Sequence, residues 1–225
     1  MKIRTITAHV LQLTRARFVN AYLVREEDGF TLVDTGLGGA ADTLLSIARR
    51  SGGEIRRIAL THGHLDHAGS VDALRERLGD EVQISMSDLD ARVCAGERVV
   101  EGKRRGSWAT LKTTPDVRLA GGERIGSLEV IPTPGHSPGH MAFLDVRDRT
   151  LLAGDTFTTY WRTEIPNRAL QPFPLAAMGT QDRAQIVESA RALRALEPAV
   201  LLVGHGPAVQ TPAAAMDSAI ARAQR

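Results

Sequence analysis

Six of the seven histidines fall in three short, glycine-flanked turns. The densest of these turns is Thr61-His62-Gly63-His64-Leu65-Asp66-His67. Imidazole nitrogen and carboxylate oxygen are ligands that zinc takes from proteins. His62 and His64 are separated by one residue, so an extended segment projects both to the same side. Gly63 lets the chain turn tightly between them. Asp66 and His67 follow at the start of the next expected helix, where they can face a second ion. Side chains of this type, packed so closely, would be costly to bury without a cation to pair with.

The second turn, Thr133-Pro134-Gly135-His136-Ser137-Pro138-Gly139-His140, offers His136 as a candidate ligand. His140 either joins it or hydrogen-bonds to the site from behind, and the supporting role is the expectation. Two further segments, Ala153-Gly154-Asp155-Thr156 and Gly204-His205-Gly206-Pro207, each follow an apolar run. Alone, Asp155 reads as a turn residue and His205 says little; beside the first two turns both become candidate ligands. His9 fits a surface strand, and Cys94 a small apolar residue on a helix.

The elements that must hold these turns are read from apolar periodicity. Strands are expected at Asn20–Val24, Phe30–Asp34, Arg56–Leu60, Val82–Met86, Leu128–Pro132, Met141–Asp145, Thr150–Gly154 and Ala199–Val203, and the opening Met1–Val10 reads as a strand as well. Polar turns at Arg25–Gly29 and Asp145–Arg149 join two strand pairs. Helical spacing marks Ala40–Arg50, Val71–Leu78, Ser87–Cys94 and Gln181–Leu196. A last helix spans Thr211–Ala223, with Thr211 as its expected cap and Pro212 in its first turn. The loops 96–115 and 158–179 are long enough to suggest function. No Gly/Ser/Pro-rich linker divides the chain, so residues 1–225 are expected to form a single domain.

Composition narrows the classes. The chain has 225 residues, 43% hydrophobic and 24% charged, enough for a sizeable core. A single cysteine excludes an intrachain disulfide and a cysteine-rich metal site. No apolar run is long enough for a transmembrane helix, and no signal peptide is recognisable, so a cytoplasmic location without membrane contact is expected. The formal charge is only +2, with one dense basic cluster at Lys103-Arg104-Arg105 and few aromatics, which argues against a nucleic-acid partner. A small-molecule substrate is expected, and either a monomer or a homodimer.

Taken together, the order of these turns resembles the metallo-β-lactamase superfamily from about Asn20 to Pro207, and the resemblance includes Leu32-Val33-Asp34-Thr35-Gly36. It implies an α/β fold, a four-layer αβ/βα sandwich of two mixed β-sheets flanked by helices. It also implies that His62, His64 and His136 bind one metal, that Asp66, His67 and His205 bind a second, and that Asp155 bridges them. Asp34 and His140 would support these ligands. Two zinc ions are expected, with iron or manganese as alternatives.

Two ions at such a site can generate a nucleophilic hydroxide near neutral pH and polarise a carbonyl. The expected activity is therefore zinc-dependent hydrolysis of a carboxylic ester, lactone or thioester, lactonase-like or compact glyoxalase II-like. Asp66 is a candidate catalytic residue beyond its ligand role. The position aligned with Asp155 is cysteine in the best-known zinc β-lactamases, which argues against a dedicated β-lactamase. Tyr160 is a candidate donor to the oxyanion. Phe157–Trp161 and Phe173 are candidates for an apolar rim, and Arg162 and Arg168 for contacts to a substrate carboxylate. Two other classes stay open: a mononuclear-iron persulfide dioxygenase-like oxidoreductase, and a non-catalytic metal-bound sensor.

Overall fold

The computed structural model describes residues 1–99, 104–168 and 173–225. The first sheet opens as an antiparallel run of β1 (Lys2–Thr5), β2 (Val10–Arg15), β3 (Val19–Glu26) and β4 (Gly29–Val33). It continues in parallel through β5 (Ile55–Ala59), β6 (Gln83–Ser87) and β7 (Val117–Leu119). The parallel crossovers carry α1 (Ala41–Arg50), α2 (Leu65–Ala68), α3 (Val71–Leu78) and α4 (Asp88–Cys94).

The second sheet contains β8 (Arg124–Ile125), β9 (Leu128–Pro132), β10 (Met141–Asp145), β11 (Thr150–Leu152), β12 (Val200–Leu202) and β13 (Val209–Gln210), with β11 and β12 parallel and the other pairs antiparallel. Helices α5 (Pro174–Gly179), α6 (Gln185–Ala195) and α7 (Ala213–Ala223) belong to this half of the chain.

Strand alternation builds the layers, because successive side chains point to opposite faces. In β3, Ala21 and Leu23 pack with Leu44 of α1 and Leu74 of α3, whereas Tyr22 and Val24 pack between the sheets. In β10, Met141 and Phe143 enter the same inter-sheet core, and Ala142 and Leu144 meet Ile186, Ala190 and Leu193 of α6. Helices thus cover the outer face of each sheet, giving helix, sheet, sheet and helix layers. Both faces of the central strands are buried, which explains their nearly unbroken apolar runs. Phe143 is fully buried, and truncating it to alanine would cost about 3–5 kcal/mol.

Most expected elements are present, several with shifted ends. The segment Met1–Val10 is divided between β1 and the start of β2 rather than forming one strand. Short strands β7, β8 and β13 are additional; at two or three residues each they leave no readable alternation. Helix α7 lacks the expected threonine cap: Thr211 sits at φ 46° with its amide on the Ala199 carbonyl, and Pro212 precedes the helix without a side-chain cap. Helix α6 starts at Gln185, not Gln181, because Gln181 and Asp182 are bound to the His136 turn. The amides of Gln181 and Asp182 donate to the carbonyls of His136 and Gly135.

The loops that matter follow β4, β5, β9, β11 and β12. β4 and β5 run parallel, and β9, β11 and β12 share one direction in the other sheet. Their C-terminal ends therefore open on one edge of the sandwich, the usual place for a site in sheets of this kind.

Candidate metal centre

Asp34, His62, His64, Asp66, His67, His136, Asp155 and His205 all come from these strand ends, and the structure brings them into one buried cluster. His62 Nε2 and His136 Nε2 each lie 3.1 Å from His64 Nδ1. Asp66 Oδ2 lies 3.3 Å from His205 Nε2 and 4.0 Å from His67 Nε2. Asp155 stands between the two triads. Its Oδ2 is 3.4 Å from His136 Nε2 and 3.2 Å from His205 Nε2, and its Oδ1 is 3.5 Å from His67 Nε2.

The rings are turned for a cation. His62 Nδ1 meets the Thr61 hydroxyl at 3.0 Å, and His136 Nδ1 meets that of Thr180 at 3.0 Å. His67 Nδ1 meets Asp34 Oδ2 at 2.8 Å, and His205 Nδ1 donates to the Phe18 carbonyl at 2.8 Å. In these four rings the outer nitrogen is held by the protein, so the inner nitrogen is fixed toward the cluster, the arrangement that orients metal-binding histidines. His67 Nε2 and Asp155 Oδ1 are buried without a hydrogen-bond partner. Buried polar atoms are normally paired, so these inward-facing donors fit divalent cations.

Electrostatics distinguish the two triads. Burial pushes His62 and His136 well below the ordinary imidazole range and His64 down to about 4, so the first triad presents neutral nitrogens. At His67 burial acts in the same direction, but Asp155, Asp34 and Asp66 outweigh it and raise the ring to about 9. Burial would raise the Asp155 carboxyl, yet His205, His67 and His136 hold it well below the usual range. The second triad is thus a carboxylate-rich pocket that favours positive charge.

Supporting contacts fix these groups. Asp34 adopts φ 59°, a left-handed conformation that aspartate tolerates better than most residues. Its carboxylate takes the Thr61 amide at 2.8 Å besides His67 Nδ1. The His140 ring accepts the Asp155 amide at Nε2, 3.0 Å, while its Nδ1 meets the Thr133 hydroxyl at 2.7 Å. Gly63 has no left-handed φ; it is needed for space rather than for a tight turn. A Cβ there would lie 2.6 Å from Cys94 Sγ and 2.8 Å from Trp108 Cζ3.

Two supporting residues are not apparent from the ligand pattern. Fully buried Asp90 accepts the Gly63 amide at 3.0 Å, the Gly139 amide at 2.8 Å and the Ser137 hydroxyl at 2.6 Å, tying the two histidine turns together. Its sequence signal is the capping pair Ser87 and Asp90 at the start of α4, where Ser87 Oγ accepts the Asp90 amide. Trp108 packs edge-on against His64 at 5.0 Å, inside the 96–115 loop.

Several expected roles do not match the positions found. Tyr160 does not line the cavity over the cluster: its hydroxyl donates to the Arg17 carbonyl at 2.8 Å, and its ring stacks on Phe173. It lines a separate cavity with Arg4, Gln12 and Arg17. The expected rim fails in the same stretch. Phe157 is consumed by the core under α6, and Trp161 is 89% exposed away from the cavity over the candidate ligands; of these aromatics only Phe173 lines that cavity. Arg162 pairs with Glu164, and Arg168 is exposed outside the cavity walls. Arg104 lies over the Trp108 ring, while Lys103 falls outside the described residues.

Comparison with known proteins follows the same pattern. Residues 14–205 match the family described as the metallo-beta-lactamase superfamily. An uncharacterized Bacillus subtilis protein, YobT, is 35% identical over 92% of this chain and 91% of its own length. A hydroxyacylglutathione hydrolase of Rhizobium etli is 28% identical over 61% of this chain, a match that spans 51% of that enzyme. Among solved structures, TTHA1623 in a di-iron-bound form superposes with a TM-score of 0.67 at 28% identity, covering 89% of this chain and 93% of that one.

Proposed function

The chain belongs to the metallo-beta-lactamase superfamily, and on that premise we propose that it is a zinc-dependent hydrolase of a carboxylic ester, lactone or thioester. The observation that carries this reading is the placement of Asp155 between two triads of candidate ligand atoms. His62, His64 and His136 would hold one ion, and Asp66, His67 and His205 the other, with Asp155 shared. Two divalent ions there would supply Lewis-acid polarisation of a carbonyl and a water acidic enough to attack it at neutral pH.

The chain's own groups do the remainder. Asp34, Thr61, Thr180 and the Phe18 carbonyl fix the imidazoles, so little reorganisation accompanies reaction. Asp66 is the most open of the carboxylates, with 30% of its side chain exposed toward the cavity. Burial raises its carboxyl, but His67 and His205 outweigh that and keep it ionised. Asp66 is therefore placed to accept a hydrogen bond from the attacking water and orient it. The water oxygen bonds to the acyl carbon, the bond from acyl carbon to the leaving oxygen or sulfur breaks, and a water proton passes to the leaving group.

Support for a hydrolase over an oxygen-dependent enzyme comes from the second triad, which a mononuclear-iron dioxygenase would not require. The test is hydrolysis of a simple carboxylic ester by zinc-loaded protein, compared with Asp155→Ala. The expected result is joint loss of zinc and turnover in the variant. Undiminished hydrolysis by Asp155→Ala without bound zinc would reject the proposal.

A further inference from the structure

The cavity over the ligand cluster has a volume of about 500 Å³, and its wall chemistry is one-sided. Phe18, Leu37, Leu65, Phe173, Leu175 and Met178 line it together with the candidate ligands. Leu65, Leu175 and Met178 are 44%, 58% and 61% exposed, although large apolar side chains in this protein are otherwise mostly buried.

Helix α5 explains the arrangement. Its sequence, Pro174-Leu175-Ala176-Ala177-Met178-Gly179, contains no polar side chain. A helix that is apolar all round is ordinarily buried all round. Here Ala176, Ala177 and Gly179 pack inward, while Leu175 and Met178, three residues apart, stand exposed along the cavity. The helix also lies close to the reacting centre. A Cβ on Gly179 would be 3.3 Å from His64 Cε1 and 3.4 Å from His136 Cε1.

Charge points the same way. Among the described residues, no lysine or arginine lines this cavity; its ionisable wall groups are all in the candidate ligand set. A substrate arm carrying several carboxylates would find no described side-chain cation on these walls. We infer, resting on the hydrolase reading above, that the substrate carries an uncharged, apolar acyl chain that lies along Leu65, Leu175 and Met178 while the scissile carbonyl meets the ligand cluster. Anionic thioesters are then poor substrates, and chain length sets specificity.

The test is kcat/KM of the zinc-loaded protein for N-acyl homoserine lactones with acyl chains of four to ten carbons, beside S-lactoylglutathione. Each methylene buried against the walls should raise kcat/KM by about fourfold until the cavity is filled. S-lactoylglutathione should fall below the long-chain lactones. Replacing the exposed pair (Leu175→Glu with Met178→Glu) should lower the ten-carbon value at least about tenfold and flatten the series. Because both side chains are surface-exposed, urea unfolding should show the variant folded.

A flat or falling series, or preference for S-lactoylglutathione, overturns this inference while leaving the hydrolase reading intact. No turnover of any member by protein carrying two zinc ions removes both.

Discussion

The backbone amide of Asp155 donates to Nε2 of His140 at 3.0 Å, so a neutral histidine holds the carboxylate that stands between the two triads. The Thr133 hydroxyl at His140 Nδ1 completes the ring's contacts, and the ring is fully buried. His140→Ala leaves the Asp155 amide without its acceptor. Supporting groups of this kind commonly contribute 10–100-fold in metal affinity. The variant should bind zinc about 10–100-fold more weakly in a chelator competition, with its far-ultraviolet circular dichroism retained. Wild-type affinity would show that the contact is incidental.

The same ring gives a pH dependence. Burial pushes His140 down to about 3, with His67 and His64 adding to the effect and Asp155 opposing it. In the unfolded chain a histidine titrates near about 6.5. Between those values the unfolded state binds more protons, so stability rises with pH and is lost as pH falls from about 6.5 toward 3. One such group contributes a slope of up to about 1.4 kcal/mol per pH unit. In EDTA, urea unfolding of His140→Gln should therefore lose less stability between pH 6.5 and 5 than wild type, by up to about 2 kcal/mol. Parallel pH profiles would remove His140 from the account.

Asp90 should be the costliest of the supporting residues to truncate. Asp90→Ala leaves the amides of Gly63 and Gly139 and the Ser137 hydroxyl without their acceptor. Each buried orphan costs about 1–3 kcal/mol, so unfolding free energy should fall by at least about 3 kcal/mol. Asp90→Asn keeps one acceptor oxygen and should be milder. Equal losses in the two variants would mean that packing, not hydrogen bonding, sets the effect.

Cys94 should be chemically silent. It is buried beneath Gly63, and burial with the nearby Asp90 charge pushes its thiol up to about 12. The thiolate is the reactive form. At pH 8 a disulfide reagent such as DTNB should label the folded protein at under about 1% of its rate on the urea-unfolded chain. Rapid labelling of folded protein would contradict the packing around Gly63.

The candidate ligands are legible in the sequence because their chemistry is local: a few turns hold unusual residue types at tight spacing, each after an apolar strand. Strands β9 and β10 and helix α3 are legible to the residue, since period and flanking turns agree. Asp90 is harder to see because its importance depends on three partners distant in sequence. The aromatic-rich segment after Asp155 misleads for a related reason. Composition cannot distinguish Phe157, which fills the core, from Trp161, which faces solvent, or from Phe173, which reaches the cavity. Helix α5 is short and apolar throughout, so it carries no amphipathic period, and the cavity wall it forms emerges only from tertiary packing.

Asp155 stands between the two triads, so two ions held there would act together. The direct measurement is a zinc titration of chelator-stripped protein, following bound ions by native mass spectrometry and lactone hydrolysis in the same samples. Joint action requires two zinc ions per chain, with turnover rising as the second binds, and a single ion with little turnover in Asp66→Ala. Full turnover at one ion per chain, unchanged in Asp66→Ala, would contradict it.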